Sequence, residues 1–448
     1  MTGERFDAII IGAGPAGEVV ASRLCEHGLS TALIEQELVG GECAYWACIP
    51  SKTLLRPGEA RHGADRSPGT SGAQTRWVDV AEYRDYMIRN LDDEDEVEGY
   101  EEQGIRVFKG RASLQGPGKV HVGRRILHGD RIVIATGSEA EIPPIEGLAD
   151  AGYWTNREAT TLMQVPDSVI VLGGGPVGIE LAQMLRRFGA EVDLFEGSGR
   201  LLEREDARVG ELVLAALRDD GIRVHLGTEV AAVSREGENR VAHYNDGQVR
   251  ARQVVVATGR TPRIDGLALE NVGIDAGPNG IEVDDRCRAA EGVWAAGDVT
   301  GEMPFTHVAM YQGRIAFADI IGQSVRADYQ AVPRVVFIDP EVAAVGMGEQ
   351  QALDAGIDVR TVHLPLRDAI ARPWTYEVDP RGELAVIADA ASKTLVGAWA
   401  VGPLASEWIH YAALAIKAQL PLSLLRDTVA QFPTYTEAYL KAIEKLDL

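Results

Sequence analysis

Two distant stretches of this chain repeat one short design, and that repetition constrains the fold more than any other feature. Ala8-Ile9-Ile10-Ile11 runs into Gly12-Ala13-Gly14-Pro15-Ala16-Gly17, a helix-forming segment comes next, and Thr31-Ala32-Leu33-Ile34-Glu35 returns as an apolar run. Ser168-Val169-Ile170-Val171-Leu172, then Gly173-Gly174-Gly175-Pro176-Val177-Gly178, then Glu191-Val192-Asp193-Leu194-Phe195-Glu196 do the same. A strand, a turn with glycines at this spacing, a helix and a second strand form a dinucleotide-binding unit. The glycines allow a tight turn, close approach of backbone N–H groups to a pyrophosphate, and close packing of helix on strand. An acid stands 23 residues beyond the first glycine in each copy, Glu35 and Glu196, where it can hold a ribose diol. One such fingerprint is weak evidence, but two in the same strand-to-helix setting predict an α/β chain with two Rossmann-like dinucleotide-binding domains.

The rest of the chain bounds what is added to those units. At 448 residues and 46% hydrophobic it can bury several cores. From Pro333 the pattern turns to short alternating strands such as Glu383-Leu384-Ala385-Val386-Ile387, with helices from about Ser406, which predicts a third, α+β domain. A net charge of −23 and no runs of Lys or Arg argue against a nucleic-acid partner. Apolar runs such as Val254-Val255-Val256-Ala257 are strand length, far from the ~20 residues of a membrane span, so no membrane association is expected. Residues 58–76, rich in Gly, Ser and Ala, read as a mobile excursion. Residues 91–102 hold eight acids and read as a solvated helix face, with a partner-docking patch as the alternative.

Four cysteines are too few for a secreted disulfide scaffold, and no signal-peptide pattern precedes the first strand, so a reducing cytoplasm is the expected compartment. Two of the four are close together, in Cys43-Ala44-Tyr45-Trp46-Ala47-Cys48, followed by Ile49-Pro50-Ser51-Lys52. Thiols at this spacing soon after a nucleotide-binding turn can open and close one disulfide beside an electron donor. An incidental buried pair or half of a zinc site are the competing readings. Zinc sites usually need a second ligand pair, and no His or Cys cluster supplies one, so no metal is expected.

Together these segments resemble the class I pyridine nucleotide-disulfide oxidoreductases, the family of dihydrolipoamide dehydrogenase, glutathione reductase and mercuric reductase. The resemblance is carried in order, nearly end to end, by residues 12–17, Gly40-Gly41-Glu42-Cys43 through Lys52, Ala135-Thr136-Gly137-Ser138, residues 173–180, Ala257-Thr258-Gly259-Arg260 and Ala295-Ala296-Gly297-Asp298. It implies an FAD-binding domain over residues 1–150 and 262–330, an NAD-binding domain over 151–261, and a C-terminal α+β dimerisation domain over 331–448 that makes a homodimer. FAD would be held by Gly12, Gly14, Gly17, Glu35, Thr136, Gly137, Gly297 and Asp298, with His307 where a helix N-terminus faces the flavin. The nicotinamide cofactor would be held by Gly173, Gly175, Gly178, Glu196 and Gly259. Cys48 becomes the sulfur nearer the flavin, Cys43 the interchange thiol, and Lys52 with Glu180 an ion pair beside the flavin. NADH is expected over NADPH, because a 2′-phosphate about 4 Å from the Glu196 carboxylate is repelled by ~4 kcal/mol per charge at an effective dielectric of about 20.

The sequence also departs from the family. Where the disulfide-exchanging members carry a His-Pro-Thr segment as the acid-base for the interchange thiol, this chain reads Gln431-Phe432-Pro433-Thr434. Phenylalanine carries no proton, and a positioned acid-base group is worth about 10²- to 10⁴-fold. Tyr435, Tyr45 and His410 are the conceivable substitutes. Tyr45-Trp46-Ala47 replaces the common Asn-Val-Gly, so aromatic rings are expected to crowd or reshape access to Cys43. The ending Lys445-Leu446-Asp447-Leu448 brings none of the further cysteines that mercuric and large thioredoxin reductases use as an exit relay, so those two identities are not expected. The leading reading is an NADH-dependent flavoprotein reductase of a small disulfide. A reductase of quinones, metal ions or oxygen is the alternative, and a non-catalytic NADH-sensing subunit is a third.

Overall fold

The computed structural model describes residues 3–448, which divide into two compact units. The first comprises Met1–Pro50, Glu82–Glu141 and Gly259–Asp328. Its centre is a six-stranded sheet in the order Arg288–Ala290, Val293–Ala295, Ile132–Ile134, Ala8–Ile11, Thr31–Glu35, Arg106–Lys109. All neighbours are parallel except the first pair. Strands buried on both faces must be apolar throughout, which is why Ala8–Ile11 and Ile132–Ile134 show no polar alternation. Helices Pro15–Glu26 and Thr306–Ile320 pack against one another beside this sheet, so closely that a methyl group on Gly313 would stand 2.8 Å from the Ala16 carbonyl oxygen.

The second unit comprises Ser51–Ala81, Ile142–Thr258 and Tyr329–Leu448. It holds a parallel sheet ordered Arg223–Leu226, Glu191–Glu196, Ser168–Leu172, Gln253–Val256, and a five-stranded antiparallel sheet, Pro333–Val336, Glu341–Gly346, Thr394–Gly402, Glu383–Asp389, Val359–Pro365. Residues of both sheets share one apolar core, in which Val169, Val171 and Ile179 meet Val342, Ala385 and Trp399. Helices His410–Lys417 and Glu437–Glu444 pack on the antiparallel sheet around a second core, the α+β arrangement expected from Pro333 onward.

Both glycine turns are built alike, and the reason is steric. Gly12 and Gly173 have φ of +103° and +110°, a region that side chains avoid. A Cβ on Gly17 would lie 1.9 Å from the Gly12 carbonyl oxygen, and one on Gly178 would lie 1.9 Å from that of Gly173. Pro15 and Pro176 then open the two helices, where a missing N–H costs nothing. No side chain caps either helix, so their first N–H groups stay available to a ligand.

One expectation is corrected, and another holds with one exception. The excursion assigned to residues 58–76 is helical to Arg66, as the later turns of helix Cys48–Arg66, and only residues 67–76 are irregular. Tertiary anchors overrule the composition there: Leu54 and Leu55 are buried, His62 Nδ1 lies 2.5 Å from Asp339 Oδ2, and Arg66 Nε lies 2.5 Å from Glu377 Oε2. The acidic stretch is helical over Glu94–Glu102, but Asp93 is not solvated, since its Oδ2 accepts from Val39 N at 2.6 Å and pairs with Lys109 Nζ at 2.5 Å.

Because the Gly178 contact is with backbone that cannot rotate away, Gly178→Ala should destabilise the protein by about 1–3 kcal/mol or more. Urea unfolding measures this. Gly63, with nothing within 4 Å of its would-be Cβ, is the control at which alanine should be tolerated.

Candidate functional site

The first unit contains a cavity of about 530 Å³ at the carboxyl ends of its parallel strands, where doubly wound sheets bind ligands. Its wall includes Gly12, Gly14, Glu35, Cys43, Thr136, Gly137, Gly297 and Asp298 from the sequence-based set. Gly17 and His307 are absent from the wall: Gly17 serves the turn behind it, and His307 is exposed with its ring stacked on Phe305. A Cβ on Gly137 would meet nothing within 4 Å and would project into open space. With an uncapped helix end and this volume, the residues present fit an elongated dinucleotide such as FAD.

Glu35 is held by backbone. Its Oε2 accepts from Ala13 N at 2.8 Å and its Oε1 from Glu37 N at 2.7 Å. A second polar group, which sequence reasoning missed, is organised around Ser138. Its hydroxyl donates to Asp298 Oδ2 at 2.5 Å, while Arg260 donates to the Ser138 hydroxyl at 2.7 Å and to its carbonyl at 2.8 Å. Arg263 stands among three carboxylates, Glu37 at 3.7 Å and Glu42 and Glu139 at 3.5 Å, and its carbonyl accepts from the Thr136 hydroxyl at 2.7 Å. Ser138 and Arg260 lie inside the quoted signatures, so the signal was present; Arg263 had none.

The paired cysteines stand as free thiols. Gly40, at φ +118°, turns the chain into helix Gly41–Tyr45, which carries Cys43, and Cys48 opens the next helix. Thr306, the first residue of helix Thr306–Ile320, donates its hydroxyl to Cys43 Sγ at 3.2 Å, and the same oxygen lies 3.4 Å from Cys48 Sγ. Cys43, Trp46 and Thr306 belong to the cavity wall, whereas Cys48 does not. The Cys43 thiol is pushed far above the ordinary thiol value, first by its hydrogen bond to Cys48 and then by burial.

The two aromatic rings that follow Cys43 take different positions. Tyr45 is fully buried with its hydroxyl donated to the Val39 carbonyl at 3.0 Å, and burial pushes its pKa up to about 12. Trp46 alone reaches the cavity. Of the other substitutes considered, Tyr435 is buried in the second unit and packed on Trp408, and burial raises its pKa. His410 is exposed at the start of its helix. Phe432 is 73% exposed.

The second unit brings Lys52 and Glu180 together, with Nζ 2.7 Å from Oε2. Glu180 is 7% exposed and also accepts from Phe337 N at 2.8 Å, while Lys52 Nζ lies 4.8 Å from the Phe337 ring centre. Glu196 repeats the Glu35 arrangement, accepting from Gly174 N at 2.6 Å and Ser198 N at 2.7 Å. Gly175 opens the helix after its turn with nothing within 4 Å of a would-be Cβ. Gly259 belongs to the first unit, where its carbonyl accepts from Glu141 N at 3.0 Å.

Residues 6–313 match the family described as pyridine nucleotide-disulphide oxidoreductase, and residues 332–443 match the dimerisation domain of that name. A mercuric reductase of Bacillus cereus is 33% identical over 453 residues, covering 99% of this chain and 72% of that protein. The probable pyridine nucleotide-disulfide oxidoreductase RclA of Escherichia coli K12 is 32% identical over 449 residues, covering 97% and 98%. The solved Cu(II) complex of the HOCl-induced flavoprotein disulfide reductase RclA from Escherichia coli superposes with a TM-score of 0.88 at 30% identity, over 98% of this chain and 99% of that one.

Removing the Lys52 ammonium leaves a nearly buried carboxylate with only one backbone donor. Lys52→Met should destabilise the protein by about 1–2 kcal/mol, less than for a fully buried pair because Lys52 is 34% exposed. Chemical denaturation checks this, and Lys52→Met/Glu180→Gln should recover part of the loss.

Proposed function

This chain belongs to the pyridine nucleotide-disulphide oxidoreductases, and we propose that it carries reducing equivalents from NADH through FAD to Cys43 and Cys48 and on to a small disulfide. The observation that carries this reading is the pair of thiols sharing one hydroxyl, with Cys43 and that hydroxyl in the wall of a dinucleotide-sized cavity. Bound there, FAD supplies a two-electron carrier between a nicotinamide and the sulfur pair.

The chain's own residues divide the remaining work. The N–H groups at the uncapped start of helix Pro15–Glu26 hold the pyrophosphate, Glu35 the ribose, and Asp298, fixed by Ser138 and Arg260, the ribityl and phosphate region. Cys43 is the interchange thiol and Cys48 keeps the thiolate, the division that the family resemblance implies. Lys52 and Glu180 set local charge, and His307 is an exposed residue, stacked on Phe305, in the first turn of the helix whose start faces the ring system. We assign residues 1–150 and 262–330 to flavin binding, 151–261 to nicotinamide binding and 331–448 to a homodimer interface. Exposed Leu414, Leu424, Val429 and Phe432 lie in that last segment. A thiol pair that must be re-reduced on each turnover suits a reducing cytoplasm.

NADH is favoured because the Glu196 carboxylate is locked by two backbone donors, and because Arg200, the nearby cation in sequence, donates instead to the Glu203 carbonyl. Glu196→Ala should narrow the NADH-to-NADPH ratio of kcat/KM by about tenfold or more, as steady-state assays with both cofactors will read. An unchanged ratio would refute the preference.

Reduction of a thiophilic metal ion is the second reading. Adjacent thiolates are soft ligands, mercuric reductases are among the relatives, and RclA is named in a Cu(II) complex. Cys43→Ser separates the acceptor classes. Anaerobic NADH should liberate two titratable thiols in the native protein, and the variant should lose disulfide and metal-ion turnover while NADH still bleaches its flavin. Full activity of the variant toward quinones or oxygen would show that the sulfurs are bypassed.

A further inference from the structure

Two sulfurs and one hydroxyl form a closed triangle of donors and acceptors. Thr306 Oγ1 donates to Cys43 Sγ at 3.2 Å and lies 3.4 Å from Cys48 Sγ, and the Cys43 thiol is hydrogen-bonded to Cys48. Each corner has a hydrogen to give and a lone pair to accept one. A proton passing from one sulfur to the hydroxyl oxygen is therefore matched by the hydroxyl's own proton passing to the other sulfur. The hydroxyl is held in place because Thr306 starts a helix whose body packs on Pro15–Glu26.

We propose that Thr306 is the relay through which Cys48 acts as the base for Cys43, filling the role that a phenylalanine at position 432 leaves vacant. This rests on the reading that Cys43 exchanges with a small disulfide. In the reduced pair Cys43 carries the proton and Cys48 the negative charge. The hydroxyl first turns to accept from the Cys43 thiol and donate to the Cys48 thiolate; it then takes the Cys43 proton and gives its own to Cys48, with no change in net charge, which leaves it donating to Cys43 as it does at 3.2 Å here. The Cys43 thiolate then attacks one sulfur of the substrate disulfide, forming a mixed disulfide and expelling a thiolate, which takes the proton from Cys48. The Cys48 thiolate breaks the mixed disulfide, closing the Cys43–Cys48 bond and releasing the second thiolate. Two electrons pass from the protein sulfurs to the substrate, and one thiol and one thiolate leave.

Of the other ionisable groups nearby, Glu42 and Tyr45 are engaged elsewhere and His307 is exposed. Glu42, preceding Cys43, lies 3.5 Å from Arg263 and 3.9 Å from Arg260. His307, next after Thr306, stacks on Phe305 with ring centres 5.3 Å apart. The Tyr45 hydroxyl is bound to the Val39 carbonyl.

The test is the rate at which iodoacetamide labels Cys43 in the flavin-loaded protein, reduced anaerobically with NADH, as a function of pH, with the site identified by peptide mass spectrometry. Thr306→Val removes the hydroxyl while keeping the shape, and should raise the labelling midpoint by about one unit, making labelling at pH 7 about tenfold slower. Thr306→Ser should retain the native profile. Coincident profiles for the native protein and Thr306→Val would overturn the relay, and so would a serine variant as slow as the valine one. Should Thr306→Val fail to retain flavin, Thr306→Ala gives the same hydroxyl-free comparison. The thiol count keeps the two ideas apart: no thiols liberated in the native protein defeats the disulfide reading itself, whereas two thiols with unshifted profiles defeat only the relay.

Discussion

A carbonyl oxygen standing where a methyl group would otherwise be is the constraint on which this architecture rests. With Gly12 O filling the space beside Gly17, helix Pro15–Glu26 lies hard against its strand, and its uncapped end opens into the cavity. The position of Glu35 is set by the same geometry, because one of its oxygens bonds Ala13 N within the turn. The second copy reproduces the steric contact, and Glu196 there bonds Gly174 N. Each acid thus satisfies an N–H of its own turn and is fixed in place by it.

That dependence explains why so much was legible in the sequence. Backbone-on-backbone contacts at Gly17 and Gly178 admit one residue type only, so spacing alone identifies them. Buried parallel strands such as Ile132–Ile134 tolerate few polar residues, so apolar runs identify those. The partnership of Lys52 with Glu180 came through the family resemblance and reflects a carboxylate too buried to stand alone.

What was illegible depends on long-range encounters between ordinary residues. Nothing local marks Thr306 as a partner of Cys43, since a threonine at a helix start is commonplace and the two are 263 positions apart. Arg263 looks like any surface cation until Glu37, Glu42 and Glu139 are seen around it. The helix beyond Gly58 was obscured by its composition, because its stability comes from Asp339 and Glu377, and no window along residues 58–66 contains them. Asp93 was lost in an acidic run for the same reason: Val39 N and Lys109 single it out from its neighbours.

The loss of a histidine at position 432 bears on thiol chemistry in a way that can be weighed. A thiol held above ambient pH loses about tenfold in thiolate population per unit, while each thiolate gains only about threefold in intrinsic nucleophilicity, so the net penalty is about threefold per unit. Cys43 is held well above the ordinary range by Cys48 and by burial, so an isolated pair in this setting would exchange slowly. The Thr306 hydrogen bond acts in the opposite direction, lowering the cost of the Cys43 thiolate. The proton also has a short path, because its acceptor is the second sulfur of the couple and no residue near Phe432 need carry it. A couple arranged this way supplies its own acid and base, at the cost of tying both to the oxidation state of the sulfurs.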